Sequence, residues 1–139
     1  MKLVLDTNVL VSGLLTPFGP CGDLVRMLTS GAFALCVDAR ILLEYDEVLR
    51  RPRFGFDPPK VESVMAYIRS VAQPYATVPL RLPLPDDDDA PFLEVAISAK
   101  ADGLITGNKA HFPADRRLGV PVLSPREFLA KMVHGNVPK

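Results

Sequence analysis

At 139 residues, with 48% apolar and 23% charged side chains, the chain reads as one globular domain with enough material for a core, not as a disordered segment. Sixteen basic and sixteen acidic residues cancel, which argues against a strong nonspecific polyanion binder and leaves room for a local basic patch. Cys21 and Cys36 are too few for a disulfide framework, lack zinc-ligand spacing, and read as small buried hydrophobes.

The N-terminus enters a strand directly, without a signal peptide, and no apolar run has membrane-spanning length. The expectation is a soluble, cytoplasmic protein with no membrane contact. Leu3 to Leu5 is the first strand. A short helix from Asn8 to Leu15 is broken by Thr16-Pro17-Phe18-Gly19-Pro20. Gly22 to Ser30 is a second helix, with Gly31 as its stop, and Phe33 to Val37 a second strand. Asp38 is the N-cap of a helix running to about Arg51, which Pro52 ends. Asp57-Pro58 starts the next helix, with its body over Val61 to Ala72. The proline-rich stretch Ala76 to Pro85 reads as an edge strand or a connection. A helix from about Asp89 to Ala101 and strands at Gly103 to Thr106 and Val120 to Leu123 follow. Ser124-Pro125-Arg126-Glu127 is a capping box opening the last helix, and the tail after Gly135 is expected to fray. Strands alternating with helices predict an α/β fold with a mostly parallel sheet.

The acids of this chain sit beside core-forming residues, where they are expensive to bury. Ligands of open α/β sheets bind beyond the carboxyl ends of the strands, and Asp6 and Asn108 each stand at such an end. A turn or N-cap role serves Asp6 equally well on this ground alone. Glu44 borders the helical stripe Ile41, Leu42, Tyr45, Val48, Leu49, whereas Asp46 and Glu47 point away, each with an arginine four residues on. The plain alternative for Glu44 is a boundary carboxylate paired with Arg40 or Arg51. In the run Asp86 to Asp89, Asp89 shares a helical face with Phe92, Leu93 and Ala96. Asp88 is rotated off that face, and Glu94 lies opposite it. Such a run is also a solvated helix start.

Carboxylates gathered at one point repel, and a hard divalent cation relieves that repulsion. Oxygen-only ligands suit Mg²⁺ or Mn²⁺. His111 and His134 are isolated and read as polar surface or supporting residues. No phosphate-cradling GxxxxGK[ST] loop, GxGxxG or nucleophile triad stands out.

Leu5-Asp6-Thr7-Asn8-Val9-Leu10, Glu44 to Pro52, Asp88-Asp89-Ala90-Pro91-Phe92-Leu93-Glu94-Val95-Ala96 and Ile105-Thr106-Gly107-Asn108 follow one another as in a PIN domain. The resemblance covers nearly the whole chain and is closest to the prokaryotic VapC-like toxins of toxin–antitoxin systems. It implies a three-layer α/β/α fold and a Mg²⁺- or Mn²⁺-dependent ribonuclease. Asp6, Glu44 and Asp89 take the places of the family's acids, with Asp88 as a flanking metal ligand. Asn108 falls where a fourth acid often stands, so it brings an amide oxygen without charge and puts a second metal in doubt. Thr7, Asn8, Ser12 and Thr106 would hold the carboxylates or the phosphate. Arg50, Arg51, Arg53, Lys109, Arg116 and Arg117 would track single-stranded or structured RNA. The resemblance also implies an antitoxin protein as partner and a homodimer, for which the helix bearing Val61, Val64, Met65, Tyr67, Ile68 and Val71 carries surplus apolar positions.

Two enzyme rivals fit less well. A haloacid dehalogenase-type phosphatase needs a second aspartate where Asn8 stands, and a response-regulator receiver needs a phosphoacceptor aspartate after its third strand. The non-enzyme alternative is a PIN-like RNA- or protein-binding module with a weakened metal site, which Asn108 favours.

Overall fold

The computed structural model describes residues 1–133. His134 and the tail after Gly135 fall outside them. Five parallel strands form one sheet in the order β3-β2-β1-β4-β5: β1 Lys2–Leu5, β2 Ala34–Val37, β3 Gln73–Pro74, β4 Gly103–Ile105 and β5 Val122–Leu123. Six helices connect and cover them: α1 Thr7–Leu15, α2 Pro20–Thr29, α3 Ala39–Leu49, α4 Pro58–Val71, α5 Ala90–Ala99 and α6 Pro125–Val133. The expected parallel α/β sandwich is what the chain builds.

Side chains alternate between the two faces of a strand, yet Leu3, Val4 and Leu5 are all at most 1% exposed. Both faces of the sheet are therefore covered, as parallel sheets require. Each such side chain contributes about 1.5–3 kcal/mol of apolar burial. Helix α1 packs closely on α2 because Gly13 leaves room for it, and Gly22 leaves room for the Pro17 carbonyl of the connection between them. A Cβ on Gly13 would lie 2.5 Å from the Cys21 carbonyl oxygen.

The boundaries follow local chemistry. Asp38 caps α3, its Oδ1 accepting from Ile41 N at 3.0 Å. Ser124 and Glu127 form the reciprocal capping box, with Ser124 N donating to Glu127 Oε1 at 2.9 Å and Glu127 N to Ser124 Oγ at 3.0 Å. The edge strand is the two-residue β3, and the proline-rich stretch Ala76 to Pro85 after it is a connection. Tyr75 N still donates to Val37 O at 2.9 Å, and pairing does not resume over the proline-rich stretch, whose prolines supply no N–H. On α4, Val61, Met65 and Ile68 are buried in the chain's own core, while Tyr67 and Val71 stay exposed, so much of its apolar surplus is internal. Among the described residues, no helix is long and apolar enough to cross a membrane.

One topological fact positions the site. From β1 the chain steps outward through β2 to β3, then returns to the other side of β1 as β4. The order reverses between β1 and β4, and a crevice opens beyond their carboxyl ends.

Candidate functional site

Asp6 follows β1 and Thr106 follows β4, so both stand at this crevice. The ladder continues through them: Asp6 N donates to Ile105 O and Thr106 N to Leu123 O, both at 2.9 Å. Opposite lie the stripe of α3 carrying Glu44 and the turn before α5 carrying Asp86, Asp88 and Asp89. Asp6, Glu44, Asp86, Asp88 and Asp89 line one cleft of about 700 Å³ together with Thr7, Asn8, Asn108 and His111, and Thr106 lies fully buried behind Asp6.

Asp6 occupies the N-cap position of α1, but its side chain makes no capping bond. Its Oδ2 instead accepts from Thr106 Oγ1 at 2.8 Å, and Thr106 in turn accepts from Asn108 N at 3.1 Å. Glu44 pairs with neither Arg40 nor Arg51, and its Oε2 accepts a short hydrogen bond from Thr7 Oγ1. Asp89 ends a 3₁₀ turn, Asp87–Asp89, and its side chain likewise makes no capping bond to α5. Its Oδ2 is buried with no hydrogen-bond partner. His111 Nδ1 stands 3.1 Å from that oxygen, outside hydrogen-bond geometry, so the contact is an ion pair only when the imidazole is protonated.

The electrostatics follow from this crowding. Burial pushes the Asp6 carboxyl up, while the Thr106 and Thr7 hydrogen bonds pull it back. Burial raises Glu44 as well; the Thr7 bond lowers it, and Asp6 and Asp88 raise it further. Asp89 is pushed up to about 6, first by burial and then by the charge of Asp6. The charge of Asp6 makes Glu44 and Asp89 harder to ionise, as adjacent carboxylates do in a half-buried cleft, while Asp6 itself is raised by burial.

Ser12 is exposed and does not line the cleft, so it supports none of these side chains: it lies almost a turn and a half beyond Thr7 on α1, too far around and along the helix. Of the six basic residues expected to track RNA, Arg51 alone lines the cleft. Arg50 is tied to Asp46 and Glu62, Lys109 to Glu127, and Arg116 to Asp115 and the Pro83 carbonyl. Arg117 donates to the Phe112 carbonyl, and the Arg53 guanidinium stacks on the Phe54 ring.

Two residues near the site escaped the sequence reading. Glu94 is 6% exposed; its Oε2 accepts from Leu80 N at 3.1 Å and its Oε1 pairs with Arg40 at 2.8 Å. Arg40 also lines the cleft. The signal for Glu94 was its place in the otherwise apolar run Phe92 to Ile97. For Arg40 it was its position four residues before Glu44.

The sequence profile of the PIN domain matches residues 2–110. The chain belongs to the PIN domain family. Its fold is also that of two solved structures. A chain of VapBC2 from Rickettsia felis, bound to a DNA fragment from their promoter, is 16% identical with a TM-score of 0.59; the alignment covers 89% of this chain and 98% of that one. A chain of FitAcB from Neisseria gonorrhoeae is 15% identical with a TM-score of 0.54, at the same coverages. No curated protein sequence matches this PIN domain.

The PIN cleft passes a chemical test for a hard divalent cation. Its donors are oxygens, its carboxylates repel one another, and one buried Asp89 oxygen lacks a donor. Among the described residues, no three Asp, Glu, His or Cys side chains are grouped closely enough to hold a metal ion together. Magnesium usually takes one or two carboxylates and keeps several waters, so it does not need a closed cage.

Proposed function

We propose that this PIN domain hydrolyses phosphodiester bonds of single-stranded or structured RNA with Mg²⁺ or Mn²⁺ held in its acidic cleft. The observation that carries this reading is the convergence of Asp6, Glu44 and Asp89, from three separate elements, on one cleft, where burial raises all three and the charge of Asp6 raises Glu44 and Asp89 further.

Asp6 and Asp89 would hold the cation, with Asp88 at the rim as a further ligand. Bound there, the cation supplies an activated water and neutralises charge on a nonbridging phosphate oxygen. Thr106 keeps Asp6 in one rotamer, and Thr7 does the same for Glu44. That leaves Glu44 Oε1 free of the threonine, and it would orient the attacking water and take its proton. A carboxylate with a raised pKa is a better base at neutral pH. Asn8 and Asn108 line the cleft and offer amide groups to the substrate phosphate.

The likeness to chains of VapBC2 and FitAcB supports the role of toxin in a toxin–antitoxin pair, with an antitoxin protein as partner; the exposed Tyr67 and Val71 of α4 leave apolar surface for a second copy of the chain. A second reading is favoured by Asn108, which brings no charge to the cleft: a PIN module that holds RNA or protein without cutting. The test is incubation of labelled single-stranded RNA with the protein. Cleavage with Mg²⁺ or Mn²⁺ that EDTA stops and Asp6→Asn abolishes supports the nuclease. Binding without cleavage at any metal concentration supports the module.

A further inference from the structure

The side of α3 that faces the cleft carries an ordered charge pattern. Arg40, Glu44 and Glu47 stand on α3 four and three positions apart, the spacing of one helical stripe, and Arg51 follows in extended backbone two residues past the last helical residue, Leu49; all four line the cleft. At 1.5 Å rise per residue, α3 alone carries the chain about 14 Å from Arg40 to Leu49, with Glu44 on the way.

Each arginine is placed and still has capacity to bind. Arg40 Nε donates to Asp38 Oδ2 at 2.8 Å, and its Nη2 reaches Thr77 Oγ1 at 3.1 Å and Glu94 Oε1 at 2.8 Å. Its Nη1 makes no hydrogen bond among the described residues. The guanidinium is thus fixed on one side and open on the other. A planar fork of this kind suits a phosphate. Arg51 pairs with Glu47 at 3.3 Å, where both side chains are largely exposed. Exposed ion pairs of this kind contribute little and exchange readily for another anion.

We infer that α3 is the substrate track of the cleft: Arg40 and Arg51 bind backbone phosphates on opposite sides of the phosphate that faces Glu44, so the enzyme takes a single RNA strand running along α3. This inference rests on the nuclease reading above. It gives that reading a direction and a minimum length. Arg40 and Arg51 are positioning residues, since neither need touch the reacting phosphorus. Asp38 and Glu94 hold Arg40 rigid, and Glu47 keeps Arg51 near its place until RNA arrives.

The experiment measures steady-state cleavage of a single-stranded RNA oligomer and of a dinucleotide by wild type, Arg40→Lys, Arg40→Ala and Arg51→Ala, at several salt concentrations. Arg51→Ala is expected to raise KM for the oligomer on the order of tenfold, the scale of one charge-assisted hydrogen bond, with kcat little changed. It should lower the salt slope of oligomer binding by about 0.7, the value of one phosphate contact on a single strand. Arg40→Ala should do the same. Arg40→Lys should keep the salt slope while recovering only part of KM, because the charge survives and the fork does not. The dinucleotide should respond to none of them. Arg40→Ala leaves Glu94 without its cation and can destabilise the fold, so Arg51→Ala and Arg40→Lys carry the test if it unfolds. Wild type that cleaves the oligomer, with KM and salt slope unchanged in Arg51→Ala and Arg40→Lys, overturns the track. Wild type that cleaves no RNA overturns the nuclease reading instead.

Discussion

Thr106 Oγ1 donates to Asp6 Oδ2 at 2.8 Å across the boundary between β1 and β4, where the strand order reverses. The bond joins two residues a hundred positions apart and fixes the carboxylate at the head of the cleft. Thr106→Val keeps the shape and removes the donor. Cleavage or metal affinity should fall roughly 10–100-fold, as when an outer partner of a ligand is lost. A metal titration of cleavage reads this directly. Unchanged activity would mean that Asp6 is positioned without its threonine.

Tyr45 lies fully buried on α3, and its hydroxyl donates to the Leu5 carbonyl at 2.6 Å, one residue before Asp6. Tyr45→Phe leaves that carbonyl oxygen without this donor in a dry environment. Denaturant unfolding should show a loss of about 1–2 kcal/mol. A loss near zero would mean that the Leu5 oxygen finds another donor.

Asp89 gives the metal-free protein a pH dependence. Its folded pKa is raised from 3.8 to about 6, so between these values the folded state holds a proton that the unfolded chain has lost. Stability therefore falls as pH rises through this window, and the deficit is complete above about 6. Asp89→Asn removes the deficit. Relative to its standing at low pH, the variant should gain on the order of 1–3 kcal/mol over wild type above the window when EDTA is present. Melting curves at several pH values check this. A variant whose difference from wild type does not change with pH would show that Asp89 is not raised.

The sequence exposed the parts of the fold that local chemistry controls. β1, β2 and β4 are short apolar runs, and the Asp38 cap and the Ser124–Glu127 box obey local rules. Glu44 stood out because it borders an apolar stripe. What stayed hidden depends on long-range geometry. β3 is two residues long and contains a proline, so it exists only because Val37 is there to pair with Pro74. Glu94 looked like an outward acid, because nothing local announced that the segment after β3 would cross over it and offer Leu80 N and, through Arg40, a cation. Ser12 was placed at the site by closeness in sequence, and helix geometry carried it away from the cleft.

Asn108 lines the cleft without charge, and its backbone N–H rather than its amide binds Thr106. Asn108→Asp should tighten Mn²⁺ binding and raise cleavage at limiting metal, because an added carboxylate supplies the charge a second ion lacks. Lower activity at every metal concentration would give the amide a positive role toward the substrate phosphate.

We propose that Asp6, Glu44 and Asp89, from three elements, serve one divalent cation. Calorimetry of Mn²⁺ binding at neutral pH by wild type, Asp6→Asn and Asp89→Asn checks this. Wild type should bind saturably, and each variant should lose at least about tenfold in affinity, the scale of losing one charge-assisted ligand. Equal Mn²⁺ affinity in all three proteins would contradict it.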